Sequence, residues 1–267
     1  MEKRARPFAK KSLGQNFLVD RNVVSKIVGA LGLRKSDRVM EIGPGPGALT
    51  GELSEKCSEL ILVEKDDRFA SELAERFAER NVTVLHADLL ELDLDVVMSD
   101  QIFKVVGNLP YNVGTAIVQK ISEKRDLVEL AVFMLQREVV DRMVAEESSS
   151  DRGFLSVICQ YSFEVEKLFD VPPGAFRPSP KVTSSVVRLT PRHPHPAPHF
   201  EATFRAIVSD GFSQRRKTLL NNLKSASRYR KEALARCLSH LGIEKDRRAE
   251  SLSVHEWISL TEALGPF

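Results

Sequence analysis

Short apolar runs alternate with amphipathic segments of helical period, and this alternation restricts the possible folds more than any other feature of the chain. Two later runs, "FEVEKLFDV" (163–171) and "SSVVRLT" (184–190), have no long helix between them and are predicted to pair antiparallel at one side of a sheet. Because strands separated by helices of about 10–15 residues form parallel sheets covered on both faces, the rest of the pattern predicts a doubly wound α/β fold. The strands predicted for its parallel part are "RVMEIG" (38–43), "ELILVE" (59–64), "VTVLHAD" (82–88), "FKVVGN" (103–108) and "LVELAVFMLQ" (127–136).

The segment "PRHPHPAPH" (191–199) separates this pattern from a C-terminal part that is helical throughout in its periodicity. Its four prolines are typical of a stiff linker, and its histidines are interpreted as solvated side chains, so no metal site is predicted. We therefore predict a first domain over residues 1–192 with a basic N-terminal extension, a linker over 193–199 and a smaller all-helical domain over 200–267. The polar run "EESSSDRG" (146–153) is a second candidate for a disordered tract.

Composition and charge restrict the class of protein. The 267 residues are 42% hydrophobic and 28% charged, no apolar run reaches the length of about 18 residues that a membrane span needs, and no secretory signal is seen. Three widely spaced cysteines are typical of a reducing compartment, so a cytoplasmic protein without membrane contact is expected. No sustained interface pattern is visible, so a monomer is expected. Residues 200–267 carry 12 basic against 8 acidic side chains, and the first eleven residues carry five against one. Two basic ends favour a polyanion such as nucleic acid, although solvated charged surfaces are the alternative.

The run "MEIGPGPGAL" after the first strand is a glycine turn of the kind that binds nucleotide cofactors at the carboxyl edge of a doubly wound sheet. Alone it also fits the relaxed dinucleotide fingerprint or a turn that only packs. Glu64 ends the next strand and can accept hydrogen bonds from both ribose hydroxyls, and Asp88, after the third, can accept from an adenine amino group. Either acid alone is also explained as a helix cap or surface charge. Three elements at successive strand ends predict a nucleoside site that includes Gly43 and Gly45.

Longer motifs that follow in order narrow the class. The series Glu41-x-Gly43-x-Gly45-x-Gly47, Glu64, Asp88 and "NLPY" (108–111) resembles the motif series of S-adenosylmethionine-dependent adenine-N6 methyltransferases. Three further runs are similar to the KsgA/RsmA type of small-subunit ribosomal RNA adenine dimethyltransferase, and the similarity extends along nearly the whole chain: "SLGQNFLVD" (12–20), "VPPGAFRPSPKVTSSVVRL" (171–189) and "FSQRRKTLLNNL" (212–223).

The resemblance implies a Rossmann-like class I methyltransferase sheet, S-adenosyl-L-methionine as the cofactor and 16S rRNA in a small-subunit assembly intermediate as the partner. It implies transfer of methyl groups to the N6 amines of two adjacent adenosines, each dimethylated, in a loop near the 3′ end of that RNA. In the family the segment that matches "QNFL" folds over the methyl donor. The resemblance therefore adds Asn16 and Leu18, together with Asn108, to the predicted cofactor-binding residues.

The run Asn108-Leu109-Pro110-Tyr111 has a chemistry suited to adenine. An exocyclic amine is a poor nucleophile because its lone pair is delocalised into the ring. Two acceptors around its hydrogens favour a pyramidal nitrogen, and we predict them to be the side-chain carbonyl of Asn108 and a backbone carbonyl of Leu109 or Pro110. Pro110 stiffens the loop, and Tyr111 offers a flat face for stacking. A tight turn with a buried tyrosine is the structural alternative.

Two further groups are predicted to contact the RNA. Because the target base must leave any stack to enter the pocket, a second aromatic wall is useful, and the resemblance favours Phe176 for that wall over an ordinary core role. The run Arg215-Arg216-Lys217 is predicted to contact phosphates, although such runs are commonly solvated surface.

Three competing functions follow from the same residues. One is a related enzyme of the Erm type that modifies large-subunit rRNA; the basic C-terminal module argues against it. Another is an assembly factor that keeps the fold without the activity, which the intact run 108–111 argues against. A NAD-dependent dehydrogenase is the most distant, because no acid or base for hydride transfer is visible.

Overall fold

The computed structural model describes residues 15–99, 101–193, 198–226 and 229–265. Its strands are β1 (Phe17–Leu18), β2 (Arg38–Ile42), β3 (Glu59–Glu64), β4 (Val82–His86), β5 (Phe103–Asn108), β6 (Val128–Gln136), β7 (Phe163–Val171), β8 (Phe176–Arg177) and β9 (Ser184–Pro191). Its α-helices are α1 (Arg21–Ala30), α2 (Thr50–Ser54), α3 (Asp67–Arg76), α4 (Leu94–Met98), α5 (Gly114–Glu123), α6 (Arg137–Met143), α7 (Phe154–Ser162), α8 (Pro198–Gly211), α9 (Leu219–Ser225), α10 (Lys231–His240) and α11 (Val254–Leu264).

Seven strands form one sheet in the order β4-β3-β2-β5-β6-β9-β7. The five strands from β4 to β6 are parallel, and β9 pairs antiparallel with β6. All seven predicted strands are confirmed to within two residues at each end, and the two strands without a helix between them lie next to each other at one side of the sheet. The chain order reverses at β2, which lies between β3 and β5, and such a switch point opens a crevice beyond the carboxyl ends of the strands.

The sheet forms where it does because its central strands are buried over nearly their whole length. Four of the five residues of β2 and five of the six of β5 are buried, as expected for strands covered on both faces. Charged groups stabilise the opposite, amino edge, where the buried Lys104 Nζ lies 2.8 Å from Asp37 Oδ2. Among the described residues, no ion pair joins the carboxyl ends of β2 and β5.

The chain divides into two compact units. The sheet unit extends to Val140 and includes Glu164–Pro191, whereas the helical unit combines Asp141–Phe163 with the chain from Arg192 onward. The linear prediction of a first domain over 1–192 differs from this division at 141–163. The physical reason is that α7 places buried apolar side chains in the core that α8–α11 build around Phe204 and Trp257.

Two predictions about irregular segments are corrected by the structure. The run 146–153 is ordered: Ser148 N–H donates to Glu250 O at 2.9 Å, and the buried Arg152 guanidinium donates to the carbonyl oxygens of Ala145 and Leu252. The predicted linker ends earlier than expected, because α8 already begins at Pro198. Proline fits the first turn of a helix, where its missing N–H has no partner to lose. His195 lies outside the described residues.

Candidate active site

A cavity lies at the carboxyl edge of the sheet, above the switch point between β2 and β5. It brings together every residue predicted to bind the cofactor or to orient the base, apart from Phe176. The lining includes Asn16, Leu18, Gly43, Gly45, Glu64, Asp88, Asn108, Leu109, Pro110 and Tyr111. These side chains come from five separate segments, so the predicted convergence of successive strand ends is present in the structure.

The glycine turn after β2 is fixed by the acid that ends β3. Glu64 is buried and accepts hydrogen bonds from Gly45 N–H at 2.8 Å and from Asp66 N–H at 2.7 Å. Gly45 and Gly47 both have positive φ, a conformation that favours glycine. A Cβ on Gly47 would lie 2.0 Å from Arg76 Nη2, so this third glycine permits close packing on α3. The sequence predicted that the Glu64 carboxylate faces a ligand. In the structure the same carboxylate also holds the glycine turn in place.

Glu41 is a cavity residue that the sequence prediction left without a role. It belongs to β2, is only 2% exposed and accepts a hydrogen bond from Thr50 Oγ1 at 2.7 Å. Burial raises the pKa of the Glu41 carboxyl to about 8, the Thr50 hydrogen bond opposes this rise, and the nearby Glu64 adds to it. An acid inside a buried strand, two residues before the first glycine of the turn, was the signal in the sequence. This carboxyl is a neutral hydrogen-bonding group at neutral pH.

The second predicted acid, Asp88, has a partner on the neighbouring strand end. Lys65 Nζ lies 2.6 Å from Asp88 Oδ2, and Leu90 N–H donates to Asp88 Oδ1 at 2.9 Å. The hydrogen bond from Lys65 is the main cause that lowers the pKa of Asp88. Asp88 is therefore an ionised acceptor at the cavity wall, and Lys65, also in the lining, is a neighbour that the sequence did not predict.

The strand β1 contacts the cavity from outside the main sheet. Phe17–Leu18 pairs antiparallel with β8, and the Phe17 ring packs at 5.3 Å between centroids against Phe69. A Cβ on Gly45 would lie 3.3 Å from the Phe17 ring, so the glycine turn and β1 are in close contact. Asn108 Nδ2 donates to the carbonyl oxygen of Asn16 at 3.0 Å. This hydrogen bond connects the residue before β1 to the last residue of β5.

Asn108 Oδ1 and Leu109 O are two of the carbonyl oxygens in the segment 108–111 that have no donor among the described residues. With Asn108 Nδ2 bonded to Asn16, the Asn108 Oδ1 atom has no partner among the described residues. Pro110 O already accepts from Val113 N–H at 3.2 Å and from Gly114 N–H at 2.9 Å. Within the described part of the chain nothing donates to Leu109 O, while Leu109 N–H is bonded to Met134 O. Of the two backbone carbonyl oxygens that the sequence left as alternatives, Leu109 O is therefore the one without a donor among the described residues.

Tyr111 is held at its hydroxyl. Its Oη lies 2.7 Å from Ser184 Oγ, and burial raises the pKa of the phenol, while the Ser184 hydrogen bond opposes that rise. The ring lines the cavity. Tyr111 therefore presents a neutral, tethered aromatic side chain beside the two available carbonyl oxygens.

Phe176 does not join this cavity. It is 0% exposed, belongs to β8, opposes Leu18 in the pairing with β1 and is part of the core of the sheet unit. The sequence predicted an aromatic wall for a base, and the structure places the ring in the core instead. The reason is the pairing of β8 with β1, which sequence periodicity does not report.

The basic run 215–217 belongs to the helical unit. Arg215, Arg216 and Lys217 are exposed in the loop between α8 and α9, which we call the basic loop (residues 212–218). The backbone of the loop is held by the buried Asn222, whose Nδ2 donates to Gly211 O at 2.5 Å and to Gln214 O at 3.1 Å. The guanidinium of Arg215 donates to Ser150 O, so it also has a structural role.

The fold and the site define a class of protein. A doubly wound sheet with a glycine turn, an acid at the end of β3 and a cavity at the switch point is the Rossmann-like methyltransferase architecture. The residues described contain no cluster of three metal-ligating side chains, and no described helix is long and apolar enough to cross a membrane.

Residues 8–265 match the family model described as "Ribosomal RNA adenine dimethylase", and the chain belongs to that family. It is a methyltransferase. It is 42% identical over 262 residues to "Ribosomal RNA small subunit methyltransferase A" of Geobacter metallireducens, which covers 96% of this chain and 95% of the relative. A protein of the same name from Geobacillus thermodenitrificans is 42% identical over 267 residues, 96% of this chain and 91% of its own length.

Solved structures agree with this assignment. A dimethyladenosine transferase from Plasmodium falciparum superposes with a TM-score of 0.76 at 25% identity, over 91% of this chain and 95% of that one. The 23S rRNA methyltransferase ErmE superposes with a TM-score of 0.70 at 26% identity, over 93% and 99%. The predicted fold class and the predicted family are confirmed by these matches.

Proposed function

We propose that this enzyme transfers methyl groups from S-adenosyl-L-methionine to the N6 amines of two adjacent adenosines, dimethylating each, near the 3′ end of small-subunit rRNA during ribosome assembly in the cytoplasm. One observation carries the proposal. Asn108 Oδ1 and Leu109 O, two carbonyl oxygens without a donor among the described residues, belong to the segment that lines the same cavity as the glycine turn. Two such acceptors match the two hydrogens of an exocyclic amine.

The residues of the cavity fit the nucleoside part of the cofactor. Glu64 has acceptor capacity beyond its two backbone hydrogen bonds, and an ionised Asp88 can accept from an amino group. A Cβ on Gly43 would meet no atom within 4 Å, so the turn leaves open space where a ligand is expected. Leu18 of β1 and Asn16, which precedes this strand, both line the cavity. When bound, S-adenosyl-L-methionine supplies an electrophilic methyl group.

Asn108 and Leu109 orient the acceptor amine in this proposal. Hydrogen bonds from both amino hydrogens to the two carbonyl oxygens favour a pyramidal nitrogen with its lone pair directed away from them. Their positions are fixed before the base arrives, because Asn108 Nδ2 is bonded to Asn16 O and Leu109 N–H to Met134 O. Prepositioned groups of this kind lower the barrier by orientation, and a general base is not required. The nitrogen gains a methyl group and releases one proton to solvent.

Tyr111 stacks on the adenine, and the basic loop contacts phosphates. Stacking on an aromatic side chain is worth about 1–3 kcal/mol per base and favours an unpaired, extruded adenosine. The side chains of Arg216 and Lys217 are exposed and have no hydrogen bond or ion pair with the described residues, so both cations are available to an RNA backbone. Phe176 is left out of this proposal because its ring is buried in the core.

Labelled S-adenosyl-L-methionine tests the proposal. The protein is incubated separately with unmodified small ribosomal subunits and with large-subunit rRNA, and the RNA is digested to nucleosides. We expect label in N6-dimethyladenosine from two neighbouring positions of the small-subunit RNA, and far less label in the same time with the Asn108→Ala variant. Label confined to large-subunit RNA would favour the Erm type of function, and the absence of label from every RNA would favour an assembly factor without activity.

A further inference from the structure

One hydrogen bond in the sheet unit connects two segments that the proposed function does not connect. Tyr111 Oη and Ser184 Oγ lie 2.7 Å apart although they are 73 residues apart in the chain. Ser184 is 0% exposed and begins β9, the antiparallel strand. Ser184 is not among the residues that line the cavity. A buried hydroxyl therefore holds the polar end of the side chain on which the adenine is proposed to stack.

Both partners of this bond are anchored on β6. The loop that carries Tyr111 is fixed by the hydrogen bond from Leu109 N–H to Met134 O at 3.1 Å. On the other side of β6, Ser184 is paired with Gln136 in the β6–β9 ladder, and Arg137 N–H donates to Thr183 O at 3.0 Å. Since the backbone ladder of β6 sets both positions, the separation of the two hydroxyls is set by the sheet.

Two contacts then determine where the Tyr111 ring lies. Its backbone is fixed by the loop, and its hydroxyl is fixed by Ser184, which leaves little rotation about the side-chain bonds. An aromatic side chain without the second contact samples several orientations, and ordering it on binding costs affinity. We propose that Ser184 is a positioning residue for methyl transfer: its hydroxyl holds the Tyr111 ring in the orientation that stacks on the target adenine. This inference rests on the proposed function.

The next residue provides a matched control. Ser185 is also 0% exposed, and its Oγ donates to Asp170 Oδ1 at 2.5 Å. Side chains of consecutive residues in a strand point to opposite faces of the sheet, so Ser185→Ala removes a buried hydroxyl of the same strand without touching Tyr111. If the hydroxyls of β9 serve only folding, the two alanine variants will behave alike.

The experiment compares the parent with Ser184→Ala, Ser185→Ala, Tyr111→Phe and the double variant Ser184→Ala/Tyr111→Phe. Single-turnover methyl transfer to unmodified small subunits gives the rate. A second readout needs no methyl donor: an RNA with 2-aminopurine at the target position reports stacking by fluorescence quenching. Thermal unfolding of each variant reports folding.

We expect Ser184→Ala and Tyr111→Phe each to lower the rate about three- to tenfold, the effect of one hydrogen bond, and to reduce the quenching. The double variant should be no slower than either single variant, because both remove the same bond. Ser185→Ala should keep the rate and the quenching of the parent even where its thermal unfolding is lowered.

Three results would overturn the inference alone while the parent remains active on small subunits: equal rates for the two serine variants, multiplying losses in the double variant, or unchanged quenching in Ser184→Ala. If Ser184→Ala does not fold, Tyr111→Phe removes the same hydrogen bond from the other side, and parental rate and quenching in that variant would overturn the inference as well. A parent that transfers no methyl group to any RNA contradicts the proposed function itself.

Discussion

The segment 108–111 and the basic loop are the two regions proposed to contact RNA, and they are built in opposite ways. In the first, polar groups are half-buried, neutral and held by hydrogen bonds to β1, β6 and β9. In the second, three cations stand exposed on a loop whose backbone is held by Asn222. Oriented neutral groups can select one atom of one base, whereas exposed charges attract any phosphate backbone. The two regions are therefore expected to respond to different perturbations.

Asn108→Ala should have the largest effect. The change removes one of the two available carbonyl oxygens and also the hydrogen bond to Asn16 O. By analogy with the loss of an oxyanion-hole donor, the transition state should lose roughly 2–4 kcal/mol, or about 1.5 to 3 orders of magnitude in single-turnover rate. Asn112→Ala, which removes the neighbouring exposed amide, is the matched control and should change the rate far less. A near-normal rate for Asn108→Ala would contradict the orientation mechanism.

Tyr111→Ala is expected to come next. Loss of a stacking face worth about 1–3 kcal/mol should lower the transfer rate on small subunits by about 10- to 100-fold. Tyr111→Phe keeps the ring and should remain well above the alanine variant. If Tyr111→Phe were as inactive as Tyr111→Ala, the phenol hydroxyl would take part directly in methyl transfer. The segment 108–111 would then act by more than stacking and orientation of the base.

The charged region should give a smaller effect that depends on salt. Arg216→Gln combined with Lys217→Gln should weaken binding to small subunits by about tenfold at low salt, and the slope of log K against log salt should become shallower by about 1–2. Arg236→Gln combined with Lys245→Gln removes the same charge from other exposed positions of the helical unit and serves as the control. Binding that matches the parent at every salt concentration would remove the basic loop from the proposal. Arg215 is left unchanged because it also bonds to Ser150.

The smallest expected effect is a dependence of stability on pH in the sheet unit. The pKa of Glu41 is raised to about 8, so the folded protein keeps a proton that the unfolded chain releases above its ordinary value of 4.5. The unfolded state then binds fewer protons, and the free energy of unfolding falls as the pH rises between these values, by at most about 1.4 kcal/mol per pH unit.

Glu41→Gln keeps an acceptor for Thr50 and should remove this part of the pH dependence. Chemical denaturation of parent and variant at pH 6 and pH 7.5 measures it, and the parent should lose about 1–2 kcal/mol more than the variant between the two. Burial also raises the pKa of Glu64. Because Glu64 is present in both proteins, the difference between the parent and Glu41→Gln reports the contribution of Glu41. Identical pH dependence would show that Glu41 is ionised in the folded protein.

The sequence predicted the strands of the sheet because buried strands carry continuous apolar runs, and the residues of the cavity because ligand groups follow strand ends. It also predicted Phe176 at the site and a first domain that included α7, and the structure differs on both. Phe176 is taken into the core by the pairing of β8 with β1, and α7 packs on α8–α11. Both outcomes depend on which strands and helices are in contact in the folded protein. The hydrophobic periodicity of a single segment does not determine its contacts.

A corollary concerns truncation. A fragment that ends near Thr190, which the linear domain boundary would favour, keeps α7 but loses the helices that cover its apolar residues Val157 and Ile158. A test of independent folding of the sheet unit therefore has to account for 141–163 as well.

The sequence by itself determined the parallel α/β pattern, the glycine turn, the acids after β3 and β4, and the run Asn108-Leu109-Pro110-Tyr111. These features depend on periodicity and on neighbours within a few residues. Only the tertiary structure decided that Leu109 N–H is bonded to Met134 O of β6, and that Ser184 reaches Tyr111 across the end of β6. The physical reason is that strand order and register bring together groups that are far apart in the chain, such as the hydroxyls of Tyr111 and Ser184, which are 73 residues apart. The hydrogen-bond ladders between strands, rather than the local sequence, set the distances between such groups.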